Sequence, residues 1–380
     1  MEFRIDRGDL VEAVGWAARA LPARTPVPVL GGLVLEASAG VLSVSGFDFE
    51  TAARIEADAE VGAGGRVLVL GRRLLDICKV LPDGPVNCAL EGTRFTVEAG
   101  GTSFGLSTLP YEEYPVPPAP PQVYGAVDAA AFATAVAQVA GRDDTLPVLT
   151  GVQLRLEGEE MTLSASDRYR YAVRRLEWKA EPDAAGGGVV EALLPARRLL
   201  DAARSLARCG TVRIGLDGAA GSGPGGRRPV GSGPVGFGGG RMRTVLRPLD
   251  GRLPSYGKLF DMAEAAVAEV ECGALTEAVR RVAVVAEANS PVRLDFSAES
   301  VLLRAGYGDD VAAQRLPATL TGAEDVTVAF NPAYLLDALS SFGAARLRVE
   351  LLGTGQRALL SPADAPESHR HLLMSVKQLV

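Results

Sequence analysis

The sequence predicts an α+β protein made of three copies of one domain, each with two helices packed on antiparallel sheet, and three observations carry that prediction. The chain has 380 residues, more than one ordinary core holds, since domains run to roughly 100–200 residues. The segment GRRLLDICKVL at 71–81 returns as ARRLLDAARSL at 196–206 and PAYLLDALSSF at 332–342, with 125 residues from Leu74 to Leu199 and 136 from Leu199 to Leu335. Between these blocks run alternating stretches such as Val41-Leu42-Ser43-Val44-Ser45, the period of half-buried antiparallel strands.

Each copy opens with an extended stretch, a polar residue and an amphipathic helix: Asp9-LVEAVGWAARAL, Asp128-AAAFATAVAQVA, Cys272-GALTEAVRRVAVVA. Asp9 with Glu12 fits a capping box, after which Leu10, Val14, Ala17 and Leu21 hold one face. A shared block follows, PVLGGLVL at 28–35 and PVLTGVQL at 147–154, echoed faintly by Ser290–Leu294. The linker YPVPPAPPQVYG at 114–125 is stiff by composition, and a second boundary follows GRLPSYGKLFD at 251–261. The expected domains are therefore 1–124, 125–261 and 262–380. The Gly/Pro/Ser-rich stretch 218–240 reads as a mobile hairpin insertion in the second, because it has too little apolar surface to order itself.

A hydrophobic share of 47% and a charged share of 22% are those of a folded globular chain, and no basic-then-apolar leader or long apolar run is visible. The expectation is a cytoplasmic protein with no membrane partner. A net charge of −7 argues against a surface that grips nucleic acid everywhere, while leaving room for a segregated basic face. Cys78, Cys88, Cys209 and Cys272 form no CxxC pair and read as reduced, partly buried thiols, so no metal is expected. His369 and His371 are the chain's two histidines; they read as solvated tail residues and leave His-based catalysis little material. No HExxH, GxSxG, Walker or Rossmann pattern stands in its context, no cofactor is expected, and the adjacent acids Asp143 and Asp144 read as a solvated loop pair. An enzyme is thus disfavoured against a non-catalytic binding protein.

Five further features, ASDRYRYAVRRLEW at 165–178, RDDTLPVLTG at 142–151, DGRLPSY at 250–256, the closing LLMSV at 372–376 and the three-copy plan, together resemble the bacterial DNA polymerase III β subunit, the β sliding clamp family, over essentially the whole chain. The resemblance implies three processivity-clamp domains per subunit and a head-to-tail homodimer. The dimer forms a six-domain ring around duplex DNA, with helices lining the hole. It implies sequence-independent DNA binding and processivity in replication. The implied partners are the polymerase III α subunit, the clamp loader, other polymerases and repair proteins, all bound through a short Gln-x-x-Leu-Phe-like peptide. Ring closure needs edge strands, for which Ser103–Leu109 and Ser300–Ala305 are the candidates.

Basic residues recur on the helix faces opposite the leucines: Arg72, Arg73 and Lys79, then Arg197, Arg198, Arg204 and Arg208. Such faces touch phosphate without reading bases. The third copy has none at 332–342, so Arg280 and Arg281 stand in; by the resemblance Arg24, and Arg142 on the matching loop, are added. For the peptide pocket the resemblance implies Leu149, Thr150, Gly151, Ser166, Arg168, Tyr169, Arg170, Tyr171, Pro254, Lys258, Leu259, Leu372, Leu373, Met374, Ser375 and Val376. Leucine, valine and methionine would bury apolar anchors, and Arg170 would meet a backbone or acidic group. The family usually has proline at Ser375, often arginine at Lys258, and a basic Arg-Leu near the end where this chain reads Lys377-Gln378-Leu379-Val380. Loss of that proline loosens the tail. Two alternatives stay open: a specialised second clamp with an altered pocket, tolerant of clamp-targeting inhibitors, and a clamp-like sequestering protein that no longer encircles DNA.

Overall fold

A computed structural model describes residues 1–141, 146–182, 188–216, 233–286, 290–307 and 309–377. Two compact units emerge, one comprising 1–133 and 178–248, the other 134–177 and 249–380. Through them the strand list runs in three similar series. The strands 2–6, 32–38, 41–47, 51–58, 60–63, 65–70, 85–91, 94–99 and 102–109 are followed by 123–128, 151–157, 160–166, 170–177, 179–180, 190–195, 211–216, 235–239 and 242–246. The third series is 266–271, 292–297, 300–307, 310–321, 325–330, 346–351, 357–362 and 369–374. Six helices are found among the described residues: α1 (Arg7–Ala17), α2 (Gly71–Val80), α3 (Ala129–Val139), α4 (Ala196–Leu206), α5 (Cys272–Val282) and α6 (Pro332–Ser340).

The helices form where the sequence gives one apolar stripe and a polar back. In α2 the buried residues are Gly71, Leu74, Ile77 and Cys78; in α4 they are Ala196, Leu199, Ala202, Ala203 and Leu206. The expected capping box at Asp9 is not used. Asp6 is the cap, its carboxylate accepting from the Gly8 N–H at 2.7 Å, because the chain is still extended there (φ −65°, ψ 143°) and Asp9 already lies inside the helix. Asn331 caps α6 and Glu271 caps α5 in the same way.

Within the first unit, strand 51–58 pairs antiparallel with 242–246, Thr51 opposite Leu246, so one sheet continues from the first domain into the second. The Trp16 indole N–H is shared between the Arg54 and Arg243 carbonyls at 3.1 and 3.2 Å, tying α1 to both strands. Within the second unit, 170–177 pairs with 369–374, Arg170 opposite Leu373, at the equivalent place in the strand list. Besides the sheet-end strands 60–63, 179–180, 190–195 and 325–330, two stretches at these places in the list have no such neighbour among the described residues: 102–107, bonded only to 94–99, and 310–316, bonded only to 300–307.

That last point corrects the expected edge at Ser300–Ala305. Strand 300–307 is bonded on both sides, by 292–297 and 310–317, because the alternation visible in the sequence marks a strand without saying whether its two flanks are occupied. A second correction concerns 218–240. Residues 217–232 lie outside the described residues, but Val235–Gly239 is a wholly buried strand paired with 211–216 and 242–246. Its glycines answer to crowding: a Cβ on Gly236 would stand 2.9 Å from Pro121, one on Gly238 2.9 Å from Arg243, and one on Gly239 2.7 Å from Cys209. No described helix is long and apolar enough to cross a membrane.

Candidate functional site

The site lies in the second unit, where strand 170–177 leaves its turn beside the chain's last strand. Asp167 shapes the turn: its Oδ1 accepts from the Tyr169 and Arg170 N–H groups at 3.3 and 3.0 Å. Arg168 between them takes φ 77°, a left-handed conformation that costs a side-chain-bearing residue about 1–3 kcal/mol and persists only when its surroundings fix it. The fixing comes from below. Arg170, 9% exposed, gives Nε to Asp167 Oδ2 at 2.7 Å, pairs through Nη1 with Asp337 of α6, and lies 4.7 Å over the Tyr334 ring. Burial alone would lower its pKa, but bonding to Asp167 and Asp337 outweighs that and raises it. Arg170 thus holds the turn on α6 through its bonds to Asp167 and Asp337.

Around that staple the expected pocket residues come together. Leu372 and Leu373, both buried, stand opposite Tyr171 and Arg170, and the Met374 N–H donates to Tyr169 O at 2.9 Å. The Tyr171 hydroxyl donates to Pro254 O at 2.9 Å, and its ring lies 5.8 Å from those of Tyr256 and Phe260. Ser166 Oγ donates to Arg170 O at 2.9 Å. Leu149 and Thr150 are half-buried just before strand 151–157, whose pairing of Gln153 with Ser164 brings its start toward Ser166, and Gly151 opens that strand. Leu259 is half-buried, while exposed Lys258 accepts from Arg357 at its carbonyl. Apolar groups remain uncovered at the rim: Tyr169 (51% exposed), Met374 (39%) and Val376 (36%). Ser375 is buried, its N–H donating to Gln356 O at 2.9 Å and its hydroxyl to Gly353 O at 3.3 Å, two bonds that hold the tail where a proline would have fixed it by ring geometry.

Behind Arg170 lies a cavity of about 110 Å³ whose lining includes Gln138, Asp167, Asp337, Ser341 and His371. His369 and His371 are not solvated tail residues. Strand 369–374 carries both inward, 2% and 4% exposed, between two neighbouring strands. His369 bonds Ser341 Oγ at 2.8 Å and Val173 O at 3.2 Å; burial, with Arg174 nearby, pulls its pKa down to about 4. Burial pulls His371 well below its usual value too. The sequence showed no sign of this: two histidines near a carboxyl end look alike whether they end a strand or trail from it.

The basic residues sort into two kinds. Arg24, Arg73, Arg197, Arg204, Arg208 and Arg281 are exposed. Lys79 is paired with Asp76 at 2.9 Å and Arg280 with Glu277 at 2.5 Å, both on the surface. Arg72 and Arg198 are partly engaged: Arg72 Nη2 donates to Pro22 O and Ala23 O at 3.0 and 3.1 Å, and Arg198 bonds Arg19 O and, at 2.8 Å, the Asp48 carboxylate. Arg142 lies outside the described residues, as do Asp143 and Asp144. Cys78, Cys88 and Cys272 are buried, Cys209 partly so, and all four are free thiols. No cluster of metal-ligating side chains occurs among the described residues.

Models of the DNA polymerase III β subunit match the chain from end to end: the N-terminal domain over residues 1–118, the central domain over 126–255 and the C-terminal domain over 258–377. The β sliding clamp of Streptomyces coelicolor is 45% identical over 387 residues, covering 99% of both chains, and the β sliding clamp homolog GriR of Streptomyces muensis is 41% identical over 386 residues, again with 99% of both covered. Two Pseudomonas aeruginosa β subunit structures, both 23% identical and covering 100% of each chain, share the fold, one with a TM-score of 0.86 and one, bound to griselimycin, with 0.88. Three matched domains in family order, a sheet continued twice from domain to domain, and relatives well above 30% identity agree: the chain belongs to the DNA polymerase III β subunit family, the sliding clamps of DNA replication.

Proposed function

We propose that two copies of this chain, each with clamp domains at 1–124, 125–261 and 262–380, close head to tail into a ring around duplex DNA and tether polymerases to it as a non-catalytic cytoplasmic processivity factor. One observation carries the reading. Strand 51–58 joins 242–246, strand 170–177 joins 369–374, and the strands at the same two places in the list, 310–321 and 102–109, keep free edges at 310–316 and 102–107. A second copy would supply the missing pairing in both directions, and closure removes the exposed edges that otherwise invite aggregation. Exposed arginines on Arg24's loop, α2 and α4 then supply non-specific phosphate contact, weak enough singly to allow sliding. Retention on nicked circular duplex tests this: Arg24→Glu with Arg197→Glu is expected to shorten it severalfold, and unchanged retention contradicts the DNA reading.

The uncovered rim at Tyr169, Met374 and Val376 over a preformed floor supports binding of an apolar peptide anchor from the polymerase III α subunit, the clamp loader, other polymerases or repair proteins. A second reading, a specialised clamp with an altered pocket that tolerates clamp-targeting inhibitors, is favoured by Ser375, whose hydrogen bonds replace the ring restraint of the usual proline. Fluorescence-anisotropy titration of a labelled Gln-Leu-x-Leu-Phe peptide separates them. Saturable binding that is lost in Leu373→Ala with Met374→Ala supports the ordinary clamp; a folded dimer that does not bind supports the specialised one.

A further inference from the structure

The cavity behind Arg170 lies wholly within the second unit and has a local cause. Ala165, Ala172 and His371 stand side by side on three neighbouring strands, Ala165 opposite Ala172 and Ala172 opposite His371. Two alanines beside a histidine leave space over the sheet, and the chain at the end of α3 covers it with Ala137, Ala140 and Gly141, which are equally small. Ser340 lines the cavity from α6 and is itself exposed, so the chamber opens to solvent there.

The polar side chains of the wall divide in two. Ser166, Asp167, Arg170, Asp337, Ser340 and Ser341 are bonded to one another or to backbone. Gln138 and His371 keep bonding capacity to spare. Gln138 donates through Nε2 to Ser341 O at 2.9 Å, but its Oε1 is buried with no partner among the described residues, and neither ring nitrogen of His371, 4% exposed, has one. Burial, with His369 and Arg170 nearby, keeps His371 neutral at pH 7, so its ring offers one N–H and one lone pair. Three buried polar atoms left unpaired are costly, and folded proteins satisfy such atoms with a bound molecule.

We propose that the chamber is a binding site for a small neutral molecule that both donates and accepts hydrogen bonds, offering a donor to Gln138 Oε1 and a complementary group to His371. A primary amide of a few heavy atoms has that pattern. Water has it too, and about three or four molecules at roughly 30 Å³ each match the 110 Å³ of the cavity. A charged guest is disfavoured with either sign, since Arg170 in the wall repels a cation while Asp167 and Asp337 repel an anion. The chamber lies beneath the turn that carries Tyr169, apart from the apolar rim, and the proposal does not rest on the clamp reading.

Acetamide titrated into the full-length protein, with nitrogen-15 in its histidine rings, tests the site. The chain has two histidines, so the ring spectrum can be read residue by residue, and His369→Phe assigns it. A saturable shift of the His371 nitrogens is expected with acetamide and not with acetate at the same concentration. Gln138→Leu, which deletes the unpaired acceptor, should weaken acetamide about tenfold, the worth of one buried hydrogen bond. Ala172→Leu, which fills the chamber, should abolish the shift. No shift with acetamide would leave water as the sole guest and overturn the proposal; equal shifts with acetate, or full affinity in Gln138→Leu, would overturn it too. Should Ala172→Leu not fold, Gln138→Leu and the acetate control still decide.

Discussion

The turn at Asp48 in the first unit and the turn at Asp167 in the second are built alike. Asp48 Oδ1 accepts from the Glu50 and Thr51 N–H groups at 3.1 and 2.7 Å, as Asp167 Oδ1 does from Tyr169 and Arg170. Phe49 and Arg168 both take positive φ, 70° and 77°. The Arg247 N–H donates to Glu50 O as that of Met374 does to Tyr169 O. The side chains on that shared backbone differ. At the first turn Arg247 stands 3.6 Å from Glu50 on the surface, and Tyr114 closes the interior with its hydroxyl on the Phe47 N–H at 2.7 Å. At the second turn the same backbone positions carry Met374 and Tyr169, which stay uncovered, over an arginine buried between two carboxylates. At the first junction an ion pair and a core tyrosine stand where the second keeps an apolar rim on a rigid floor, although Phe49 at the first turn is itself 55% exposed. On the proposed reading, four or five side chains separate a structural joint from a docking site.

The buried staple offers the largest effect. Arg170→Leu strands Asp167 and Asp337 without their cation and is expected to cost the second unit about 3–5 kcal/mol, whereas Arg198→Leu at the first turn, where the arginine is partly solvated, should cost about 1 kcal/mol. Urea unfolding of both variants checks this, and equal losses would erase the contrast. Acid comes next. With the His369 pKa at about 4 against 6.5 in the unfolded chain, and His371 lowered too, the unfolded state binds more protons below pH 6.5. Stability from these groups is present above pH 6.5 and is lost as pH falls toward 4, by about 3 kcal/mol for His369 alone at 1.36 kcal/mol per pH unit. The first unit has no histidine and should lack this step; His369→Phe with His371→Phe should remove it from the second.

Smaller changes sharpen the contrast in function. Met374→Ala should weaken peptide binding about tenfold, an anchor's worth, while Arg247→Ala at the matching position of the first turn should leave it unchanged. Tyr114→Phe should cost about 1 kcal/mol, the value of one net hydrogen bond, and leave peptide affinity alone.

The repeated Leu-Leu-Asp blocks made three domains and their helices legible, because the spacing of buried leucines is local information. The residues expected at the pocket could be named only through resemblance, although the chain shows how part of them is brought to one turn: Asp167-Arg-Tyr-Arg is flanked by two alternating runs. What could not be read was pairing at a distance. Nothing near Arg170 announces Asp337, 167 positions away, and Ser300–Val301–Leu302 alternates as well as any edge strand does. Val235–Gly239 hid for the opposite reason, since its glycines are required by close neighbours that composition cannot show.

Sedimentation velocity of the full-length protein at micromolar concentration, beside Ala313→Pro in the free edge of 310–316, tests most directly whether two copies supply each other's missing strand. Each chain weighs 39.6 kDa. The account predicts a particle of twice that mass which Ala313→Pro, lacking a backbone donor at the edge, reduces to a folded monomer. A wild-type monomer, or a dimer indifferent to proline at that edge, would contradict it.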